Sequence, residues 1–171
     1  MKTETIKKGG KYEPGNFTLK AKRSSAGLGL YTMDPIKKGD CVIEYVGPVV
    51  PKEEWDTINS LYLFEVTKKK TINGAVRSNT ARYINHSCKP NCEIDIRKER
   101  VFIMAKRNIK AGEELSYDYD REYFDEYIKP KGCKCGAEKH LYNTPKKVTP
   151  AKKKVTKTTK GKKPKTKKGA R

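Results

Sequence analysis

The sequence predicts a small, mostly β domain of short strands with one helical insert, followed by a basic segment that belongs to no core. Three observations predict it. Stretches rich in β-forming residues recur along the chain, as in "FTLKAKRS", "CVIEYVGPVV" and "RVFIMAKRNI". Glycine-bearing turns ("SAGLG", "IKKGD", "IKAGEE") punctuate them. From position 144 onward the composition changes abruptly to lysine, threonine, proline and glycine, with no acidic or aromatic residue.

In chain order, residues 1–16 read as a lead without an apolar segment of signal-peptide type. Strand-forming runs begin with "FTLKAKRS". The segment "PKEEWDTINSLYLF" opens on proline and acids, the signature of a helix start, so a short helix is expected before "YLFEV". No run approaches the ~18 apolar residues of a membrane span, and five cysteines outside any secretory context favour reduced thiols or metal ligation. The expectation is an intracellular protein with no membrane partner.

Charge separates body from tail. Thirteen of the 40 basic residues and none of the 20 acidic ones lie in 144–171; the other 27 against 20 leave positions 1–143 at only +7. The tail repeats "TPKKV" as "TPAKKKV" and carries Val148 and Val155 as its sizeable aliphatics. Such a segment cannot offset the entropy of ordering, so it is expected to be disordered. It is further expected to bind nucleic acid through phosphate charge without reading sequence.

Four motifs carry chemistry. Gly27-Leu28-Gly29 lacks the third glycine of a dinucleotide site and reads as a turn, or as a place where a ligand approaches the backbone closely. "RYINHSC" with "KPNC" behind it places His86, Cys88 and Cys92 together, as half of a metal site or a His/Cys pair. "GCKCGAEKH" offers Cys133, Cys135 and His140, three ligands where zinc prefers four; Cys88 or Cys92 are the available donors of the fourth. In "EELSYDYD", Tyr117 and Tyr119 share a face if extended, in a chain with ten tyrosines and four phenylalanines.

Taken together, "SSAGLGLYTMDPIKKGDCVIEYVG", "YLFEV", "ARYINHSCKPNC", "IKAGEELSYDY" and "CKCGAEKH" resemble, in order and spacing, the SET-domain protein lysine methyltransferases with a post-SET cysteine loop. The resemblance covers about residues 17–142. It implies a SET domain over 17–121, a post-SET zinc loop over 122–143 and a disordered lysine-rich tail over 144–171. It also implies the compact β-clip fold of that family, with a knot-like crossing of "RYINHSC" and "ELSYDY". No cysteine cluster precedes the domain, so the likeness is to a minimal form without a pre-SET module.

The resemblance implies S-adenosylmethionine on one face and a substrate lysine entering from the other. Leu28 and Gly29 would offer backbone to the cofactor, with Tyr62, Asn85, His86 and Tyr119 around it. Tyr119 matches the catalytic tyrosine, Tyr45 a channel residue that orients the amine, and Tyr117 a position where the family has Phe or Tyr; a tyrosine there implies monomethylation. Cys88, Cys133, Cys135 and His140 would hold Zn2+, His140 standing where the family has cysteine, while Cys92 would be structural. Asn73 occupies the place of a usual acid. The implied substrate is a histone or histone-like lysine-rich protein, in chromatin if eukaryotic, or at the nucleoid or host chromatin if bacterial or viral. Two further readings remain at this point: an inactive SET-like module in a nucleic-acid-associated protein, and a zinc-stabilised interaction domain without cofactor. Saturable binding of S-adenosylmethionine and turnover on protein distinguish them.

Overall fold

The computed structural model describes residues 10–142. The expectations for most of the lead (1–9) and for the tail (144–171) lie outside the described residues. Among the described residues, ten short strands form four small sheets. Strands β1 (Leu19–Ser24) and β2 (Gly27–Thr32) make an antiparallel hairpin; β3 (Cys41–Tyr45), β9 (Arg100–Ala105) and β8 (Cys92–Arg97) make a sheet with β9 in the middle. In the third sheet β6 (Lys70–Asn73) lies between β4 (Val49–Pro51) and β5 (Leu63–Thr67). The fourth joins β7 (Asn85–His86) and β10 (Ser116–Tyr117) in parallel.

Strand β9 explains why "RVFIMA" is almost wholly apolar. Val101, Ile103 and Ala105 enter the main core with Leu30, Ile36, Val42, Ile84, Ile109 and Leu115. Phe102 and Met104 point the other way, onto Cys41, where Tyr12 closes the second face. A strand covered on both faces loses the alternation of a half-exposed one. Truncating Ile103, which is fully buried, removes ~2–5 kcal/mol of stability.

The hairpin joining β8 to β9 turns at Lys98 and Glu99, between the paired Arg97 and Arg100. Both turn residues have positive φ, 47° and 57°, the arrangement of a two-residue type I′ turn normally built from Asn-Gly.

The helix expected within "PKEEWDTINSLYLF" appears as a 3-10 turn over Lys52–Thr57. A second helical stretch was not anticipated: α1 (Arg121–Tyr123) runs into a π-helical turn (Phe124–Ile128) and a 3-10 turn (Lys129–Lys131). The carboxylate of Asp120 caps it, accepting from the Tyr123 N–H at 2.9 Å. Asp125 adds i,i+4 contacts to Arg121 and Lys129, each 3.4 Å. The first part of segment 122–143 is therefore helical, and the cysteine loop follows it.

The segments expected to cross do lie side by side. Asn85 and His86 pair with Ser116 and Tyr117, and the Ser87 N–H donates to the Tyr117 carbonyl at 3.0 Å. This crossing places His86, one of the chain's two histidines, beside Cys88.

Candidate active site

Three cavities meet around the crossing. The largest, about 640 Å3, is walled by Tyr45, Tyr62, Tyr117, Tyr119 and Tyr123, with Glu65, Asp118, Asp120 and Arg82 among its charged groups. A second, of about 240 Å3, lies between Asn85, His86 and Tyr119 on one side and the loop residues Cys133–Cys135 on the other. A third, of about 230 Å3, is polar, bounded by Ser24, Ser25, Asn85, Ser87, Arg107 and Glu113. Asn85 borders all three, and Tyr119 and Tyr123 stand between the first two.

Strand β3 carries Tyr45 inward, where its hydroxyl donates to the Tyr62 carbonyl at 2.8 Å. Gly74 makes room for it: a Cβ there would meet the Tyr45 hydroxyl at 2.1 Å. Just beyond β10, the Tyr119 hydroxyl donates to the Ile84 carbonyl at 2.5 Å. Tyr117, Tyr119 and Tyr123 form a chain of ring contacts, with centroids 4.8 and 5.1 Å apart. Burial raises the pKa values of Tyr45, Tyr117 and Tyr119, so all three remain protonated through the physiological range. Each of Tyr45 and Tyr119 gives its proton to a carbonyl, which leaves its oxygen lone pairs available to an incoming N–H donor.

His86 is largely buried behind Tyr119. Desolvation lowers its pKa, outweighing the opposing pull of the Asp118 carboxylate. Nδ1 accepts from the Tyr119 N–H at 3.2 Å, so the neutral ring carries its proton on Nε2, which faces Cys88 Sγ at 3.3 Å. Although Asp118 lies 3.6 Å from Nδ1, the accepted N–H leaves no proton there for an ion pair. The imidazole thus links the crossing to the thiol cluster.

Asn85 ties the β1–β2 hairpin to the crossing, its Nδ2 donating to the Leu28 carbonyl at 3.0 Å and to Glu114 at 2.8 Å. Glu114 is a hub that the sequence reading missed. Its second oxygen accepts from Ser24 at 2.8 Å and Tyr31 at 3.0 Å. Gly29 permits that approach, since a Cβ there would meet Glu114 Oε1 at 2.2 Å. Leu28 lines the largest cavity with an exposed side chain, whereas Gly29 packs on Glu114. Asn91 and Asn79 were missed too. Asn91 pins β10 by donating to the Glu114 carbonyl and accepting from the Ser116 N–H, both at 2.8 Å; Asn79 binds the Gly74 carbonyl beneath Tyr45 at 3.0 Å.

The ligand atoms of Cys88, Cys133, Cys135 and His140 all lie within 4.8 Å of one another. Cys88 Sγ is 3.9 Å from Cys133 Sγ and 3.4 Å from His140 Nδ1, which is 3.7 Å from Cys135 Sγ. A tetrahedral zinc with ordinary bond lengths separates its ligands by about 3.8 Å (S–S) and about 3.6 Å (S–N). The donor set and its spacing therefore fit zinc. Burial pushes the Cys88 thiol up to about 12. At Cys135 burial also raises the pKa, but N–H donors from Cys88 and Ala137 outweigh it and bring the thiol to about 7. Cys92 is buried in the main core, apart from this cluster.

The model of the SET domain matches residues 27–120. The chain belongs to the SET-domain family. This SET domain is 39% identical over 139 residues to the histone-lysine N-methyltransferase trr of Drosophila melanogaster, spanning 74% of this chain and 6% of that protein. It is 38% identical over 123 residues to the H3 lysine-4 specific histone-lysine N-methyltransferase of Schizosaccharomyces pombe, spanning 64% of this chain and 13% of that protein. The chain thus spans a small part of these relatives. Among solved structures, KRYPTONITE in complex with mCHH DNA, an H3(1-15) peptide and SAH superposes with a TM-score of 0.61 at 33% identity, over 73% of this chain and 29% of that one.

Proposed function

We propose that the chain transfers a methyl group from S-adenosylmethionine to a lysine side chain of a histone or histone-like basic protein. The observation that carries this reading is Tyr119, standing between a tyrosine-walled cavity and a second cavity bordered by Asn85 and His86. The residues fit the cofactor: three adjoining spaces that share Asn85 offer polar walls at Ser24 and Arg107 and tyrosine faces that attract a cation. Backbone of Leu28 and Gly29, with Tyr62, Asn85, His86 and Tyr119, forms its proposed surroundings. When bound, S-adenosylmethionine supplies a methyl group activated by its sulfonium.

The protein's contribution is to present a neutral amine in line with that methyl. Free lysine, with a pKa near 10.4, is neutral in only about one molecule per thousand at neutral pH. The buried tyrosines strip water from the amine and so disfavour its charged form. Tyr45 and Tyr119, their own protons committed to carbonyls, accept the amine N–H bonds and aim its lone pair. Tyr117 crowds the space around the nitrogen, which supports a preference for monomethylation. Cys88, Cys133, Cys135 and His140 would hold Zn2+, which would tie the loop 132–142 against the second cavity. Residues 144–171 supply nonspecific attraction to nucleic acid, and a chromatin address follows from relatives that methylate histones.

The test is incubation of the full, zinc-loaded chain with methyl-labelled S-adenosylmethionine and core histones. Label is expected on histone lysines, with Tyr119→Phe slower by roughly 100-fold. Cofactor binding without label transfer to any protein favours the inactive-module reading instead.

A further inference from the structure

We propose that the acid-lined cavity also takes the chain's own lysine-rich segment, residues 144–171, and that the domain methylates it in cis, at Lys152, Lys153 and Lys154 first. This rests on the methyltransferase reading above. The described chain ends at the cavity wall. The ring of Tyr142 packs on Phe124, with centroids 5.1 Å apart, and its hydroxyl donates to Asp118. Asp118 itself lines the tyrosine-walled cavity. Everything beyond Tyr142 is therefore tethered one side chain away from the tyrosine-walled cavity.

Charge favours the same encounter. The cavity's ionisable carboxylates and guanidinium are Glu65, Asp118 and Asp120 against Arg82, an excess of two negative charges. Arg82 turns its charge onto the Ala75 carbonyl at 2.6 Å and the Tyr83 hydroxyl at 2.7 Å. Positions 1–143 as a whole carry +7, so this cavity is an acidic spot on a basic body. The segment that follows carries twelve lysines, one arginine and no acid.

Length selects among those lysines. From Tyr142 to Lys152 is ten residues, which span up to ~33 Å when extended. Lys146 and Lys147 are only four and five residues past Tyr142, a reach of at most ~13–17 Å, whereas Lys152 to Lys154 can extend about twice as far. More distant lysines reach the cavity too, but local concentration falls as the connecting chain lengthens. For short tethers that concentration is of millimolar order, above the usual level of a separate protein substrate.

The step is a complete displacement. The lysine ammonium gives one proton to solvent, and its nitrogen lone pair forms the new C–N bond. The electron pair of the broken C–S bond stays on sulfur, which leaves as neutral S-adenosylhomocysteine, and the methylated nitrogen keeps the positive charge.

Two readouts on the full, zinc-loaded chain test this. Without cofactor, a zero-length carbodiimide couples amines to neighbouring carboxylates; peptide mass mapping is expected to join Lys152–Lys154 to Glu65, Asp118 or Asp120 within one molecule. With S-adenosylmethionine, methyl groups are expected on the same lysines at a per-molecule rate unchanged by 100-fold dilution. A Tyr119→Phe copy mixed in at the dilute end is expected to receive less than a tenth as many. A rate falling in proportion to dilution, or equal methylation of the Tyr119→Phe copy, overturns the cis assignment. A tail neither coupled nor methylated while added histones are methylated overturns this inference and leaves the methyltransferase reading standing. Coupling without methylation of tail or histones overturns that reading, and methylation in cis with it.

Discussion

At Tyr119 a single hydroxyl joins burial, hydrogen bonding and the proposed chemistry. Its proton goes to the Ile84 carbonyl, and burial raises its pKa, as it does for Tyr45 and Tyr117. The three tyrosines therefore do not ionise before the substrate does. With saturating cofactor and histone held well below saturation, the rate is expected to climb with pH up to about 10, following the free lysine amine; a downturn between pH 8 and 9 in a buffer series contradicts this. Tyr117→Phe is expected to shift the product from monomethyl- toward dimethyl-lysine, read by mass-resolved peptides, and an unchanged mixture sinks the proposed role. His86 and Cys88 stood out in the sequence because histidine and cysteine are scarce and fall here within three residues, with Asn85 directly before them. Glu114 did not: a carboxylate after Gly-Glu in a turn reads as solvated, and its Ser24, Tyr31 and Asn85 partners come from distant segments.

Among the elements, the β8–β9 turn departs from its local preference at two adjacent residues. Lys98 and Glu99 both hold positive φ, which costs ~1–2 kcal/mol for a residue with a side chain. The Lys70–Glu99 ion pair at 2.9 Å offsets little, because its Glu99 side is exposed and surface pairs contribute roughly 0–1 kcal/mol. Replacing Lys98 and Glu99 by Asn and Gly is expected to stabilise the chain by about 1 kcal/mol, raising Tm by about 3–5 °C in a thermal scan. No gain contradicts the account of this turn. Strand β9 was recognisable from its apolar run. The stretch 121–131 was hidden because its cap, Asp120, sits at the end of the motif "ELSYDYD" and Pro130 reads as a breaker. Asp120 itself has φ 74° and ψ 172°, a backbone region few side chains occupy, and it borders the largest cavity.

For the whole molecule, the loop after the helical stretch depends on few contacts with the body. The thiol cluster reaches it through Cys88, Ser25 donates to the Lys134 carbonyl at 2.8 Å, and Tyr142 donates to Asp118. Removing the proposed zinc with a chelator is expected to open the cavity bordered by Cys133–Cys135 and weaken cofactor binding at least ~10-fold in a calorimetric titration. Unchanged affinity after verified metal loss contradicts that coupling. The crossing of β7 and β10 sets the scale of the design, since it brings the proposed cofactor surroundings, tyrosines and thiols within one small domain. The central claim is methyl transfer to lysine, and counting both products tests it most directly. In one time course with core histones, S-adenosylhomocysteine released and methyl-lysine formed are measured for the native chain and for Tyr119→Phe. The account predicts one methyl-lysine per S-adenosylhomocysteine in the native chain and a rate roughly 100-fold lower in the variant. Absence of methyl-lysine, or equal rates in both proteins, contradicts it.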